Sequence, residues 1–210
     1  MSLKEYGSQR ASDDLISRET QQLADDLAKK VRLKAKAVEP EITKDMKLLE
    51  DSSAHLEGLE FVLKGEESIS RKIISDSKFE KNLLQEAASN IGDSVRYTLI
   101  LDDDSFTEKM VTCLDTLKSK GYTIRGFKNF WGGNIYQGVN TSIISPNGII
   151  FELQFHTDSS FHTKEHLNHL FYEISRNDFV SVEAKKLADE IMAINQSKVS
   201  VPDGIINFKY

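Results

Sequence analysis

The chain has 210 residues, 39% of them hydrophobic, a formal net charge of -6 and a single cysteine. That length supplies one large domain with an ordinary core, the apolar runs are too short to span a membrane, and no secretory signal is visible. Cys113 alone excludes an internal disulfide, which fits a reducing, cytoplasmic setting or an effector that folds without bridges, and reads as a buried thiol. The negative charge argues against broad non-specific nucleic-acid binding, so a polyanion must be met by clustered Lys and Arg.

Ser12, Asp13 and Asp14 resemble a helix start, and Leu23, Leu27 and Val31 recur at helical spacing up to the basic run ending at Lys36. A second helix is expected to open at Pro40 and to carry Ile42, Met46 and Leu49 to a stop at Gly58. Residues 59–63 read as a short strand, and residues 68–75 and 79–88 as helices. Residues 95–101, rich in β-branched and aromatic side chains, predict a central strand ending at the acidic turn Asp102, Asp103, Asp104. Phe106, Met110, Cys113, Leu114 and Leu117 trace one face of a helix that stops at Gly121. Strands are expected over 122–127, 136–145 and 151–157, a loop at Gly132 and Gly133, and helices over 159–175 and 182–194. The whole reads as an α+β domain, a mixed sheet flanked by helices. Its expected divisions are an N-terminal helical extension over 1–55, a core over 56–178, and a helix and tail over 179–210.

The run from Phe151 to Thr157 alternates Phe, Leu and Phe with Glu152, Gln154 and His156, so one strand face is apolar and the other polar. What shares the polar face depends on the preceding turn. If Pro146, Asn147 and Gly148 form a three-residue connection, Ser142 stands opposite Glu152, Asn140 opposite Gln154 and Gly138 opposite His156, with Tyr136 further along. A two- or four-residue loop would present Val139 and Thr141 there instead. The acidic run Asp102 to Asp104 lies about 30 Å along the chain from Asp93 and cannot share a metal with it. Lys64, Ser68, Arg71 and Lys72 are spaced to fall on one side of a helix and its entry, an arrangement suited to phosphate.

Six segments, in order, resemble the RelA/SpoT family of nucleotide pyrophosphokinases across residues 56–176. Lys64, Ser68, Arg71 and Lys72 are similar to its ATP-binding pattern, and Asp93-Ser94-Val95-Arg96 to its magnesium-binding segment. Phe127, Lys128, Asn129 and Phe130 resemble a phosphate-contacting stretch, and Tyr136 to Thr141 the element whose Tyr stacks on the acceptor base. Glu152 to Thr157 is similar to the Glu-x-Gln-x-Arg-Thr strand, and Glu165, His169 and Tyr172 to the helix after it. The resemblance implies a nucleotidyltransferase-like fold, Mg²⁺ held by Asp93 and Glu152, and ATP held by Lys64, Ser68, Arg71, Lys72, Arg96 and Lys128. It further implies an acceptor met by Tyr136, Asn140, Gln154 and His156, with Glu165 and His169 in support. Val62 stands where the family has an adenine-clamping Arg, Asn140 where it has His, and His156 where it has Arg. These departures resemble the divergent toxin-like branch, whose acceptors are adenosine nucleotides or the tRNA 3′ end and whose members imply a neutralising antitoxin or immunity partner.

Two alternatives belong to other classes. His162, Glu165 and His166 formally fit a His-x-x-Glu-His zinc pattern, implying a hydrolase. A non-catalytic nucleotide-binding module of the same fold is the other.

Overall fold

The computed structural model describes residues 3–78, 80–177 and 180–210, with side chains from Arg18 onward. Helix α1 (Leu3–Met46) runs without interruption through Pro40, correcting the expected pair of helices. An interior proline costs on the order of 3 kcal/mol. The apolar stripe nevertheless continues on both sides of it: Ala24 and Ala28 pack into one cluster, and Ala35, Ile42 and Met46 into the main core. Pro40 itself is exposed, and continued burial offsets the lost backbone bond.

A short 3-10 turn (Lys47–Leu49) leads to strand β1 (Ala54–Glu57), whose Ala54 and Leu56 point inward. β1 straddles the expected boundary at residue 55, so the sheet begins before that boundary. Residues 59–63 do not form a strand: Gly58 turns the chain at φ 67°, and Leu59–Phe61 is a 3-10 turn. Helix α2 (Glu66–Asp76) and the short α3 (Leu84–Ser89) follow, α3 entered by a 3-10 turn at Lys81–Leu83. Phe79, where the expected second helix begins, lies outside the described residues.

The sheet takes β2 (Arg96–Leu101), β3 (Thr123–Asn129), β4 (Val139–Ile144) and β5 (Ile150–His156) with β1, in the order β1-β2-β5-β4-β3. β2 and β5 are parallel and every other neighbouring pair is antiparallel, so the sheet is mixed. Its covered face packs Tyr97, Leu99, Leu101, Phe151, Leu153 and Phe155 against α4 (Phe106–Ser119), α1 and the tail residues Val199 and Ile205. Cys113 is buried in that core. A second cluster joins Ala24 and Ala28 of α1 to Ile69 and Ile73 of α2 and to Leu84, Ala87 and Ala88 of α3.

After β5 the chain forms α5 (Asp158–His162), a π-helical segment (Thr163–Asn168) and α6 (His169–Ser175), then α7 (Val182–Gln196). A reciprocal capping box between Thr157 and Ser160 starts this run directly at the end of the strand. No described helix is long and apolar enough to cross a membrane.

Candidate active site

The connection between β4 and β5 has three residues. Ser145 N–H donates to Ile149 O at 2.8 Å, Gly148 N–H donates to Ser145 O at 2.8 Å, and Gly148 takes φ 79°. The resulting register sets Ser142 opposite Glu152 and Asn140 opposite Gln154. Across the sheet, one row of the open face reads Gly126, Ser142, Glu152, Arg96 and the next Lys128, Asn140, Gln154, Thr98.

The polar groups of this face form one connected chain of hydrogen bonds ending on Glu152. Asn140 Nδ2 donates to Glu152 Oε1 at 3.0 Å, and Gln154 Nε2 donates to Glu152 Oε2 at 3.0 Å. Tyr136 donates its hydroxyl proton to Asn140 Oδ1 at 2.6 Å. The same hydroxyl lies 3.0 Å from His156 Nε2, and His156 Nδ1 lies 2.9 Å from Ser160 Oγ, so both ring nitrogens are engaged. Glu152 is therefore met only by donors, from both sides.

His156 is 0% exposed. Burial, with the charge of Lys164 added, holds its pKa well below the ordinary value, so the ring is neutral. The ring that the resemblance sets toward an acceptor thus lies fully buried against Tyr136. The fit is close, since a Cβ on Gly138 would lie 2.6 Å from His156 Cε1 and 3.0 Å from the Tyr136 hydroxyl. Burial, reinforced by the Glu152 charge, pushes the Tyr136 phenol far above its usual pKa, and the ring packs edge-on to Phe130 at 5.4 Å. Gln154, only 4% exposed, has both amide ends engaged.

Asp93 lies just before β2. Its carboxylate accepts from Lys64 Nζ at 2.6 Å and from Lys72 Nζ at 3.0 Å. Lys64 arrives there because its backbone N–H donates to Ser94 O, and Lys72 because the stripe of Ile69 and Ile73 faces α1 and turns it toward Asp93. Burial alone would raise the Asp93 pKa; the two ammonium groups outweigh it and hold the carboxyl below its ordinary value. Arg71 is exposed and donates to Ser68 Oγ at 3.3 Å, and Lys128 is exposed on the open face. Arg96 is exposed on that face too, its charge felt by Lys164, Glu165 and Tyr136. Val62 is buried, while its neighbour Phe61 is 72% exposed.

The π segment brings Lys164, which the sequence did not single out. Its Nζ donates to Gln154 Oε1 at 3.1 Å and pairs with Glu165 at 2.7 Å. Its position at the first inward turn after the strand was the available signal. Burial would raise the Glu165 pKa, but the Lys164 bond, helped by the charge of His169, outweighs it and lowers it. His162 and His166 are exposed, with ring centroids 4.9 Å apart, and Glu165 is turned to Lys164. Among the described residues no three His, Cys, Asp or Glu side chains come together to hold a metal. Mg²⁺ needs fewer: it takes one or two carboxylates and fills its shell with phosphate oxygens and water. Asp93 and Glu152 fit that demand, each oxygen having one donor and a lone pair to spare.

A mixed five-stranded sheet with this connectivity, flanked by helices and joined by a long N-terminal helix, is the fold of the RelA/SpoT-type alarmone synthetases. Among solved structures, the chain is similar to small alarmone synthetase 1 from Bacillus subtilis at a TM-score of 0.51, with 14% identity over 80% of this chain and 87% of that one. It is also similar to the Type VI effector Tas1, solved in complex with its immunity protein, at a TM-score of 0.50 and 18% identity over 86% of this chain and 98% of that one. No family model matches the sequence, and no curated protein matches it.

Proposed function

We propose that this chain is an ATP-dependent pyrophosphokinase that transfers pyrophosphate from ATP to a ribose hydroxyl of a nucleotide or of an RNA 3′ end. The observation that carries this reading is two carboxylates set among donors in a synthetase fold: Asp93, just before β2 and bonded to Lys64 and Lys72, and Glu152 on β5, bonded only by donors and registered beside Arg96. In the transfer, the acceptor oxygen bonds to the β phosphorus, the bond from that phosphorus to the α–β bridging oxygen breaks, and AMP leaves with that oxygen and the electron pair. Lys64, Lys72, Arg71, Arg96 and Lys128 would meet the phosphates and the charge that develops on AMP, with Ser68 at the first turns of α2. Glu152 would orient the attacking hydroxyl and take its proton, and Tyr136 would offer its ring to the acceptor base. Mg²⁺, held by Asp93 and Glu152, would supply charge neutralisation on the β and γ phosphates.

Incubation with γ-labelled ATP and separate GTP, GDP, ADP and bulk tRNA tests this: one acceptor gains label and AMP is released. Asp93→Ala and Glu152→Gln are expected to abolish transfer while melting as folded proteins; full activity in either would sink the assignment. Buried Val62, in the place of a clamping Arg, is the observation on the side of a non-catalytic nucleotide-binding module. ATP binding without label transfer to any acceptor would select it. The likeness to an effector solved with its immunity protein supports a neutralising protein partner for this chain as well.

A further inference from the structure

The reaction proposed above gives no task to the most enclosed cation of the site. Lys164 is 22% exposed at its side chain and lies on the π segment, bonded to Gln154 and Glu165. We propose that Lys164 is a positioning residue that acts through Gln154 to hold the Glu152 carboxylate in its working orientation.

The inference rests on donor and acceptor arithmetic. An amide side chain has two ends of similar shape, and which end faces which neighbour is set by its partners. A protonated lysine only donates, so Gln154 must present Oε1 to Lys164, and its Nε2 is then aimed at Glu152 Oε2. The same logic operates from the opposite side, where Tyr136 occupies Asn140 Oδ1 and sends Nδ2 to Glu152 Oε1. Glu152 is thus clamped by two amides, each oriented by a donor behind it. Gln154 is 4% exposed and both its amide ends are bonded within the protein, so its hydrogen-bonding capacity is directed to this orientation.

The groups facing Lys164 come from every element around it. Glu165 lies on its own segment, Glu152 and Gln154 on β5, Arg96 on β2, and the Phe161 ring of α5 sits 5.5 Å from Nζ. Burial lowers the Lys164 pKa from 10.5, Glu165 and Glu152 oppose that, and Arg96 adds to it. Deprotonation on the alkaline side would leave an amine that both donates and accepts and so no longer dictates which end of Gln154 faces it, whereas an arginine there stays charged and only donates.

The role in turnover rests on the pyrophosphate-transfer reading, so the test has an arm that does not. Lys164→Met should lower kcat by about tenfold or more with the KM for ATP little changed, as expected for a lost charge-assisted bond that orients a reacting group. Lys164→Arg should recover most of that loss and move the alkaline limb of the kcat profile to higher pH. In a double-mutant cycle, Lys164→Met should add little once Gln154→Leu is present. A raised KM for ATP at unchanged kcat, additive effects in the cycle, or an unmoved alkaline limb would each overturn the proposal. The independent arm is the Gln154 side-chain amide resonance of the full chain by NMR. It should be dispersed in wild type and in Lys164→Arg, and collapse toward free-amide positions in Lys164→Met at retained melting temperature; an unchanged resonance overturns the proposal. Absence of label transfer in wild type, with the NMR result as expected, would refute the reaction and leave the orientation of Gln154 intact.

Discussion

At the scale of single residues, two close packings decide what the site can tolerate. Gly138 sits where an added Cβ would come within 2.6 Å of a ring that is fully buried and bonded at both nitrogens, so the ring has nowhere to go. Gly138→Ala is therefore expected to cost about 1–3 kcal/mol of stability, read from the denaturant midpoint, and to displace Tyr136 from Asn140. Asp93 is the second such residue. Its folded pKa lies below the ordinary 3.8, so its pairing contributes stability that is present above that value and is lost as pH falls through the folded pKa. Acid titration of thermal stability should show a loss below about pH 4 that is smaller in Asp93→Asn. That variant should also be less stable near neutrality, where two ammonium groups lose their counter-ion. An identical acid profile in the variant would show that the lysine pairs do not carry that stability.

At the scale of elements, α2 is held between α1 and α3 by small residues, and this fixes where Lys72 stands. Ala28 is 0% exposed in the cluster with Ile69 and Ile73. Ala28→Leu is expected to push α2 outward, costing about 1–3 kcal/mol and weakening ATP binding measured by calorimetry. Loss of stability with unchanged ATP affinity would uncouple α1 from the site. The elements also explain what was legible in the sequence. Pro146-Asn147-Gly148 determined the register of β4 and β5, because a three-residue turn with a glycine at positive φ leaves one pairing, and the polar face of Asn140, Glu152 and Gln154 followed from it. Proline chemistry misled at Pro40, where burial of Ile42 and Met46 outweighed a local preference. β1 was missed because four residues with Ala54 and Leu56 inward carry too short an alternation to read. The π segment was missed for a different reason: a single extra residue per turn leaves no mark in composition, yet it is what presents Lys164 to Gln154.

At the scale of the whole molecule, a chain of net charge -6 pairs Lys64 and Lys72 with Asp93 and Lys164 with Glu165, and sets Arg96 opposite Glu152 in the sheet. On the proposed reading, such clustering is what would draw a polyanion to a chain of negative net charge. It also bears on the order of binding. On the proposed reading, a divalent cation arriving alone would meet Asp93 already paired with two ammonium groups, whereas ATP would offer those groups a stronger anion and release the carboxylate. Metal and nucleotide should therefore bind with positive coupling, each raising the affinity of the other by about tenfold or more, and by the same factor. Calorimetry with Mn²⁺ or Mg²⁺, with and without a non-hydrolysable ATP analogue, measures this without turnover. Lys64→Gln combined with Lys72→Gln should strengthen binding of the metal alone and weaken binding of the nucleotide, shrinking the coupling. Metal binding by wild type that is equally tight with and without nucleotide would mean that the lysines do not guard Asp93.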